Sequence, residues 1–91
     1  MRRDAKVDQN QQEIITALRQ IGASVCPLHF AGKGCPDLIV GFRGRNYLME
    51  VKPGRGKLNA DQRTFHQSWH GHVAVVKSAQ EAVEVITDAN R

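Results

Sequence analysis

The sequence is poor in aromatic residues and contains no internal repeat or low-complexity tract. Its 91 residues include three phenylalanines, one tyrosine and one tryptophan. A domain of this length buries only roughly 60% of the surface that its unfolded chain exposes. We therefore expect a single domain spanning residues 1–91 whose stability as a lone subunit is marginal. Pairing with an identical subunit would bury more apolar area.

Cysteine and long apolar runs are scarce as well. Cys26 and Cys35 are the only two cysteines, which excludes a disulfide framework and fits a reducing compartment. No window approaches the roughly 18 consecutive apolar residues of a membrane-spanning helix. Arg2 and Arg3 are followed by a polar run over residues 8–12, which is not the pattern of a signal peptide. These absences predict a cytoplasmic protein without a membrane partner.

Positive charge is in modest excess. The net charge is +4 and the isoelectric point is about 9.5. Such a surface favours polyanions such as nucleic acid, but many ordinary domains carry as much charge. The charge therefore supports a nucleic-acid partner only weakly.

Hydrophobic periodicity predicts the element order helix, three strands, helix, strand, helix. Asp8 can cap a first helix over residues 9–21 that ends at Gly22, and Pro27 indicates that a following strand, 23–30, is bent or lies at a sheet edge. A hairpin with its turn at 43–45 joins strands 38–40 and 46–51. A helix over 59–70, a wholly apolar strand over 73–76 that belongs inside a sheet, and a helix opened by a capping box at 78–81 complete an α/β fold, with helices packed against a mixed sheet.

Three charged residues interrupt the otherwise apolar hairpin strands. Asp37 begins one strand and Glu50 lies near the end of its partner, so antiparallel pairing brings the two carboxylates together. Lys52 shares the face of Glu50 because it is two residues further along the strand. Paired carboxylates repel unless a cation lies between them, and oxygen ligands select magnesium or manganese. The alternative is that Asp37 caps a turn while Glu50 and Lys52 form a surface ion pair. Spacing alone leaves both open, and the apolar surroundings favour the metal site.

These motifs carry a family resemblance. The segment Gly34-Cys35-Pro36-Asp37 together with Glu50-Val51-Lys52 resembles the PD-(D/E)xK signature of restriction-endonuclease-like nucleases. The glycine-containing loop before the proline, the small size and the downstream Gln62 resemble more narrowly the VRR-NUC domain, the virus-type replication-repair nuclease. The resemblance implies a nuclease core over the whole chain.

The resemblance also implies roles that residue chemistry alone does not reveal. A glutamate of the first helix would join the metal ligands, and Glu13 is the acidic residue available within the predicted helix. The carbonyl of Val51 would be a further ligand, and Gln62 would orient the attacking water or a phosphate. The alternatives are that Glu13 is an exposed helix residue and that Gln62 is an exposed glutamine. The cofactor implied is Mg²⁺, with Mn²⁺ as its substitute.

The partners implied are DNA and a second subunit. Stand-alone members of the family are homodimers that cut branched DNA, especially four-way Holliday junctions, and they come from phages and bacteria. We therefore expect a structure-selective endonuclease in the cytoplasm of a bacterium or a phage-infected host. A less selective endonuclease or nickase, and a DNA-binding module without catalysis, are the alternatives.

Two further groups of polar residues are considered as ligand-binding sites, one for phosphate and one for zinc. Basic residues in loops at the ends of the hairpin are predicted to hold phosphates, against the alternative of solvated loop charge; they are Lys33, Arg43, Arg45, Arg55 and Lys57. A zinc site is disfavoured because the available residues lack paired ligand spacing, and the cysteines are interpreted as small core residues. The residues considered for zinc are Cys26, His29, Cys35, His66, His70 and His72.

Overall fold

The structure is a computed structural model that describes residues 5–28 and 31–88, with side chains described from Gln9 onward. Three helices and four strands follow the predicted order, and the mixed α/β fold is confirmed. In chain order they are α1 (Ala5–Gln20), β1 (Ser24–Pro27), β2 (Leu38–Phe42), β3 (Arg45–Val51), α2 (Ala60–Ser68), β4 (Val73–Val76) and α3 (Ala79–Asp88).

Helix α1 begins earlier than the sequence predicts. It starts at Ala5, so Asp8 lies within the helix and the prediction that Asp8 caps it is wrong. The apolar spacing held its register: Ile14, Ile15 and Leu18 are all buried. The helix closes as predicted, because the N–H groups of residues 22 and 23 bond back to the carbonyls of residues 19 and 18.

The four strands form one sheet in the order β1-β2-β3-β4. The first three pair antiparallel, and β4 runs parallel to β3 because α2 carries the chain back across the sheet. Strand β1 is shorter than the predicted 23–30, and residues 29 and 30 lie outside the described residues. Pro27 ends an edge strand, as predicted.

Strand β4 corrects one prediction. Its four apolar residues suggested an interior position, but β4 is the last strand at the other edge of the sheet. Val76 is fully buried, whereas Val75 is 37% exposed. An apolar sequence indicates that a strand has little contact with water. It does not indicate whether a neighbouring strand or another element shields it.

The β2–β3 hairpin turns tightly through Arg43 and Gly44. Both residues have positive φ, at 51° and 82°, as in the two-residue type I′ turns that match the twist of antiparallel strands. This turn sets the register, in which Leu38 pairs with Met49 and Val40 with Tyr47. The predicted turn at 43–45 is therefore close, although Arg45 already belongs to β3.

Helices α1 and α3 cover one face of the sheet. Side chains of α1 and α3 pack with Leu38, Val40, Tyr47, Met49 and Val51 in one core cluster. Leu48 and Glu50 are also buried but lie outside that cluster, because alternate residues of a strand point to opposite faces. The predicted faces of β3 are confirmed.

Helix α2 covers little apolar surface. It is shorter than the predicted 59–70, and none of its residues is fully buried. Asn59 caps it, and Trp69, which follows its last residue, is 47% exposed and stacks on Phe65 at 5.0 Å between ring centroids. The capping box predicted for helix α3 forms in one half only: the N–H of Glu81 donates to Ser78 Oγ, whereas Glu81 Oε1 accepts from the N–H of Lys77 instead of Ser78. Within the described ranges, no helix is long and apolar enough to cross a bilayer.

Candidate active site

The two predicted carboxylates lie on the strand pair that the hairpin aligns. Leu38 is opposite Met49, so one further step of the antiparallel register brings Asp37 opposite Glu50. Side chains that are directly opposite point to the same face with their Cβ atoms about 5 Å apart. The face is the one opposite α1 and α3, since Met49 and Val51 on either side of Glu50 point into the core.

The Asp37 carboxylate is held by the backbone of β3. Its Oδ2 accepts a hydrogen bond from the N–H of Val51 at 2.8 Å, and the Asp37 carbonyl accepts from the N–H of Leu28 at 2.8 Å. Pro36 before it is buried. Asp37 is therefore fixed by both its side chain and its backbone at the point where β2 starts.

Glu50 is buried to an extent unusual for a carboxylate. Only 3% of its surface is exposed, and its Oε1 atom is out of contact with solvent. Removing a carboxylate from water is costly unless other groups compensate, so burial of this kind is typical of functional sites. Burial also raises the pKa of the Cys35 thiol, and the charges of Glu50 and then Asp37 raise it further. Cys35 therefore lies close enough to both carboxylates for their charges to act on its thiol.

The donor set fits a small hard cation. Magnesium is usually bound in proteins through one or two carboxylates, with water and substrate phosphate filling its other positions. Asp37 and Glu50 supply two oxygen ligands of this kind on neighbouring strands. Among the described residues, no three His, Cys, Asp or Glu side chains cluster closely enough to hold a metal by themselves. The site therefore suits an ion that relies on water or phosphate for the rest of its shell.

Lys52 follows the carboxylates at the end of β3. It is half-buried, and its N–H donates to the carbonyl of Val76 at 3.0 Å. The side chain runs beside Gly56: a Cβ placed on that glycine would lie 3.5 Å from Lys52 Cβ and 3.6 Å from Lys52 Cδ. The ammonium is thus carried on a stem that is packed against the loop following the strand.

Glu13 is not brought to this site. It is exposed on α1, whose buried residues pack on the other face of the sheet, and it forms no ligand cluster with Asp37 and Glu50. The arrangement therefore does not support the expectation that Glu13 is a metal ligand. From Gln9 onward, the buried polar residue of α1 is Gln11, which is 6% exposed and whose Oε1 has no hydrogen-bond partner among the described residues. Its spacing from Ile14, Ile15 and Leu18 is the signal that could have identified it.

Gln62 has a structural role in addition to any catalytic one. Its Oε1 accepts from the N–H of Asn59, and Asn59 Oδ1 accepts from the N–H of Gln62, each at 2.9 Å, which forms a reciprocal capping box. A role toward water or phosphate would therefore fall to Nε2. The residue is nevertheless close to the Asp37 loop, because a Cβ on Gly34 would collide with the carbonyl of Asp61.

The five predicted DNA-binding residues separate into two groups. Arg43 lies in the hairpin turn and Arg45 directly follows it, roughly 20 Å along the strand from Asp37 at about 3.3 Å per residue. Arg43 covers the Phe42 ring at 5.1 Å. The other three lie in the loops before β2 and after β3, at the same end of the sheet as the carboxylates; they are Lys33, Arg55 and Lys57. The second group therefore lies nearer the carboxylates than the first.

The cysteines and histidines show no metal-binding arrangement within the described residues. Cys26 and Cys35 are free thiols, exposed and half-buried respectively, so their interpretation as core residues is wrong. His29 lies outside the described residues. His66 is half-buried beside Phe65, and burial lowers its pKa.

Comparison with known proteins yields a match to one kind of domain. A solved structure described as a VRR_NUC domain superimposes with a TM-score of 0.76 and 27% sequence identity, over 92% of this chain and 97% of that one. No family model matches the sequence, and no curated protein matches it significantly.

The fold and the paired carboxylates define a nuclease domain with a mixed, helix-flanked sheet. Within that class the chain has the fold of a VRR-NUC domain, the family that its motifs predict. The similarity extends along nearly the whole of both chains, so it covers the hairpin, α2 and β4 and not the motif alone.

Proposed function

We propose that this domain is a magnesium-dependent endonuclease that hydrolyses phosphodiester bonds in branched DNA. One observation carries the proposal: Asp37 is opposite Glu50, with its carboxylate bonded to the backbone of Val51 and Lys52 next along the strand. Acidic oxygens beside a cationic side chain are the groups that phosphoryl transfer to water requires.

The metal would be held by Asp37 and Glu50, with the carbonyl of Val51 as a further oxygen donor. A bound Mg²⁺ or Mn²⁺ supplies positive charge to the phosphate being attacked and acidifies water near it. Buried as it is, Glu50 offers its charge to the ion through a medium less polar than water, which strengthens the attraction.

Lys52 is the group proposed to act on the reacting phosphate. Its side chain lies on the face of Glu50, so its ammonium can donate hydrogen bonds to a phosphate oxygen as negative charge accumulates there. It can also hold the attacking water by a hydrogen bond. Lys33, Arg55 and Lys57, in loops at the same end of the sheet, are proposed to bind the flanking phosphates.

Four-way junctions are the proposed substrate, cut by a homodimer. A two-fold dimer presents two active sites to the two symmetry-related strands of a junction. The support for a dimer is the outer edge of β4, a strand without charge, proline or bulge that pairs with no other strand of the described residues. Val75 is exposed on that strand, and Trp69 is exposed in the segment leading to it.

Pairing of β4 with its own copy would suit a two-fold axis. Two antiparallel copies of one strand are related by such an axis, so the contact is self-complementary. It would continue the sheet from one subunit into the other and cover the apolar side chains at the edge. A less selective nickase, or a DNA-binding module without catalysis, would not need the dimer.

The test compares substrates and metal in one assay. The protein is incubated with a labelled four-way junction, a plain duplex and a single strand, first in magnesium and then in EDTA. We expect magnesium-dependent cutting of the junction. Equal cutting of the plain duplex would refute the junction preference and leave a less selective nuclease, whereas junction binding without cutting would refute the nuclease and favour the binding module.

A further inference from the structure

Lys77 lies at the active-site end of the sheet and is anchored there by two helices. It follows Val76, whose carbonyl accepts from the N–H of Lys52. The Lys77 N–H donates to Glu81 Oε1 at 2.9 Å, and its carbonyl accepts from Asn10 Nδ2 at 3.2 Å. Since α3 and α1 both hold this backbone, the side chain starts from a fixed point.

The ammonium of Lys77 reaches the loop that follows the catalytic strand. Its Nζ donates to the carbonyl of Gly56 at 3.2 Å, across 21 residues of sequence. Gly56 in turn closes a tight turn, with its N–H donating to the Pro53 carbonyl at 3.0 Å. The loop that carries Arg55 and Lys57 is therefore tied to the end of β4.

Gly56 packs against the stem of Lys52. A Cβ on Gly56 would be 3.1 Å from the Pro53 carbonyl oxygen, and it would contact Lys52 at its Cβ and Cδ atoms. The space beside the Lys52 stem is thus filled by the glycine backbone itself. A displacement of Gly56 would leave that stem free to take other rotamers.

We propose that Lys77 is a positioning residue, which fixes Gly56 against Lys52 and so directs the Lys52 ammonium toward the carboxylates. The proposal rests on the nuclease function proposed above. Lys77 acts through Gly56 and does not touch the substrate. Its hydrogen bond is exposed, so water can take its place at the Gly56 carbonyl when the bond is lost, which limits the cost to stability. The consequence of losing it is therefore a misdirected Lys52, with the fold retained.

The experiment replaces Lys77 by methionine, which keeps an unbranched apolar stem and removes the donor. Misplacement of a catalytic group by about 1 Å can lower a rate about 100-fold. We expect kcat for DNA cleavage to fall roughly 10- to 100-fold, with KM and the melting temperature changed little. Lys77→Arg, which restores a donor, should recover most of the rate.

Arg19→Met is the matched control. Arg19 Nη2 donates to the carbonyl of Val25 at 3.1 Å, so it makes the same kind of exposed bond from a cation to a carbonyl at the other end of the sheet. Both variants lose one positive charge, and their general attraction for DNA should weaken equally. An effect on kcat confined to Lys77→Met supports positioning, whereas equal effects of the two variants would overturn it.

A spectroscopic measurement separates failure of this inference from failure of the nuclease proposal. The amide resonances of Lys52 and Gly56 should move in Lys77→Met and stay in place in Arg19→Met. If the parent protein does not cut DNA, the function proposal fails, and these resonances still test the contact. If the parent cuts and Lys77→Met matches its rate, the positioning role is refuted and the nuclease remains.

Discussion

The side chain of Asp37 accepts a hydrogen bond from the backbone N–H of Val51 at 2.8 Å. This bond joins the start of β2 to the end of β3, where the ladder between the two strands stops. One carboxylate therefore has two functions: it satisfies a half-buried backbone donor, and it presents its remaining lone pairs at the proposed metal site. The two functions can be separated by substitution.

Asp37→Asn and Asp37→Ala should differ in stability and agree in activity. Asparagine retains a carbonyl oxygen for the Val51 N–H, whereas alanine leaves that donor unpaired at a cost of about 1–3 kcal/mol. Both variants lose the anionic ligand, so neither should cut DNA at a measurable rate. Urea unfolding monitored by circular dichroism provides the comparison. Equal unfolding free energies for the two variants would argue against the structural half of this account.

Glu50→Gln should stabilise the protein when no metal is present. The amide is neutral and costs less to bury than a carboxylate beside Asp37. With magnesium the order should change, because a bound ion stabilises only the protein that has the ligand. Thermal melts in EDTA and in excess magnesium measure both effects. A parent protein that gains no stability from magnesium would speak against the metal site.

His66 should make the stability depend on pH. Burial lowers its pKa from the ordinary 6.5, so the unfolded chain binds a proton more readily than the folded one. The unfolding free energy should accordingly fall as pH decreases from about 7.5 through 6.5 toward the lower folded value. His66→Gln has no titrating group and should flatten this part of the profile. An unchanged profile in that variant would assign the dependence to other groups.

Val75→Lys should shift the protein toward single subunits. A lysine on an edge strand opposes pairing with another strand, because its charge would be buried. Ile21→Lys is the matched control, since Ile21 is 41% exposed between α1 and β1, and β1 is the strand at the opposite edge of the sheet from β4. Light scattering at micromolar concentration should give two chains for the parent and the control, and one chain for Val75→Lys. A parent with the mass of one chain would refute the dimer itself.

That Asp37 and Glu50 lie close together was predictable because a tight turn leaves little freedom in the register of a hairpin. The exact register follows from the two-residue turn, which is one residue shorter than the predicted 43–45. Glu13 was less accessible to sequence reasoning. The apolar spacing of Ile14, Ile15 and Leu18 defines the buried face of α1, and that face includes Gln11 and leaves Glu13 in solvent. The resemblance specifies an acidic residue type, and the helical rotation puts Glu13 on the exposed side of α1, so its role as a ligand stays a prediction.

Distances across the sheet were the other feature that the sequence does not encode directly. Contacts such as Lys77 with Gly56 depend on how the loop after β3 folds back, for which the chain offers no periodic signal. The position of β4 at an edge likewise follows from topology and not from its composition.

Diffraction from a crystal soaked in manganese, recorded for anomalous scattering, tests the central claim most directly. The account predicts one strong anomalous peak with an oxygen of Asp37 and an oxygen of Glu50 each about 2 Å from it. The anomalous peak, and with it both metal–oxygen contacts, should be absent in Asp37→Asn. A manganese-soaked crystal with no peak between these two side chains, or with the two carboxylates turned away from each other, would contradict it.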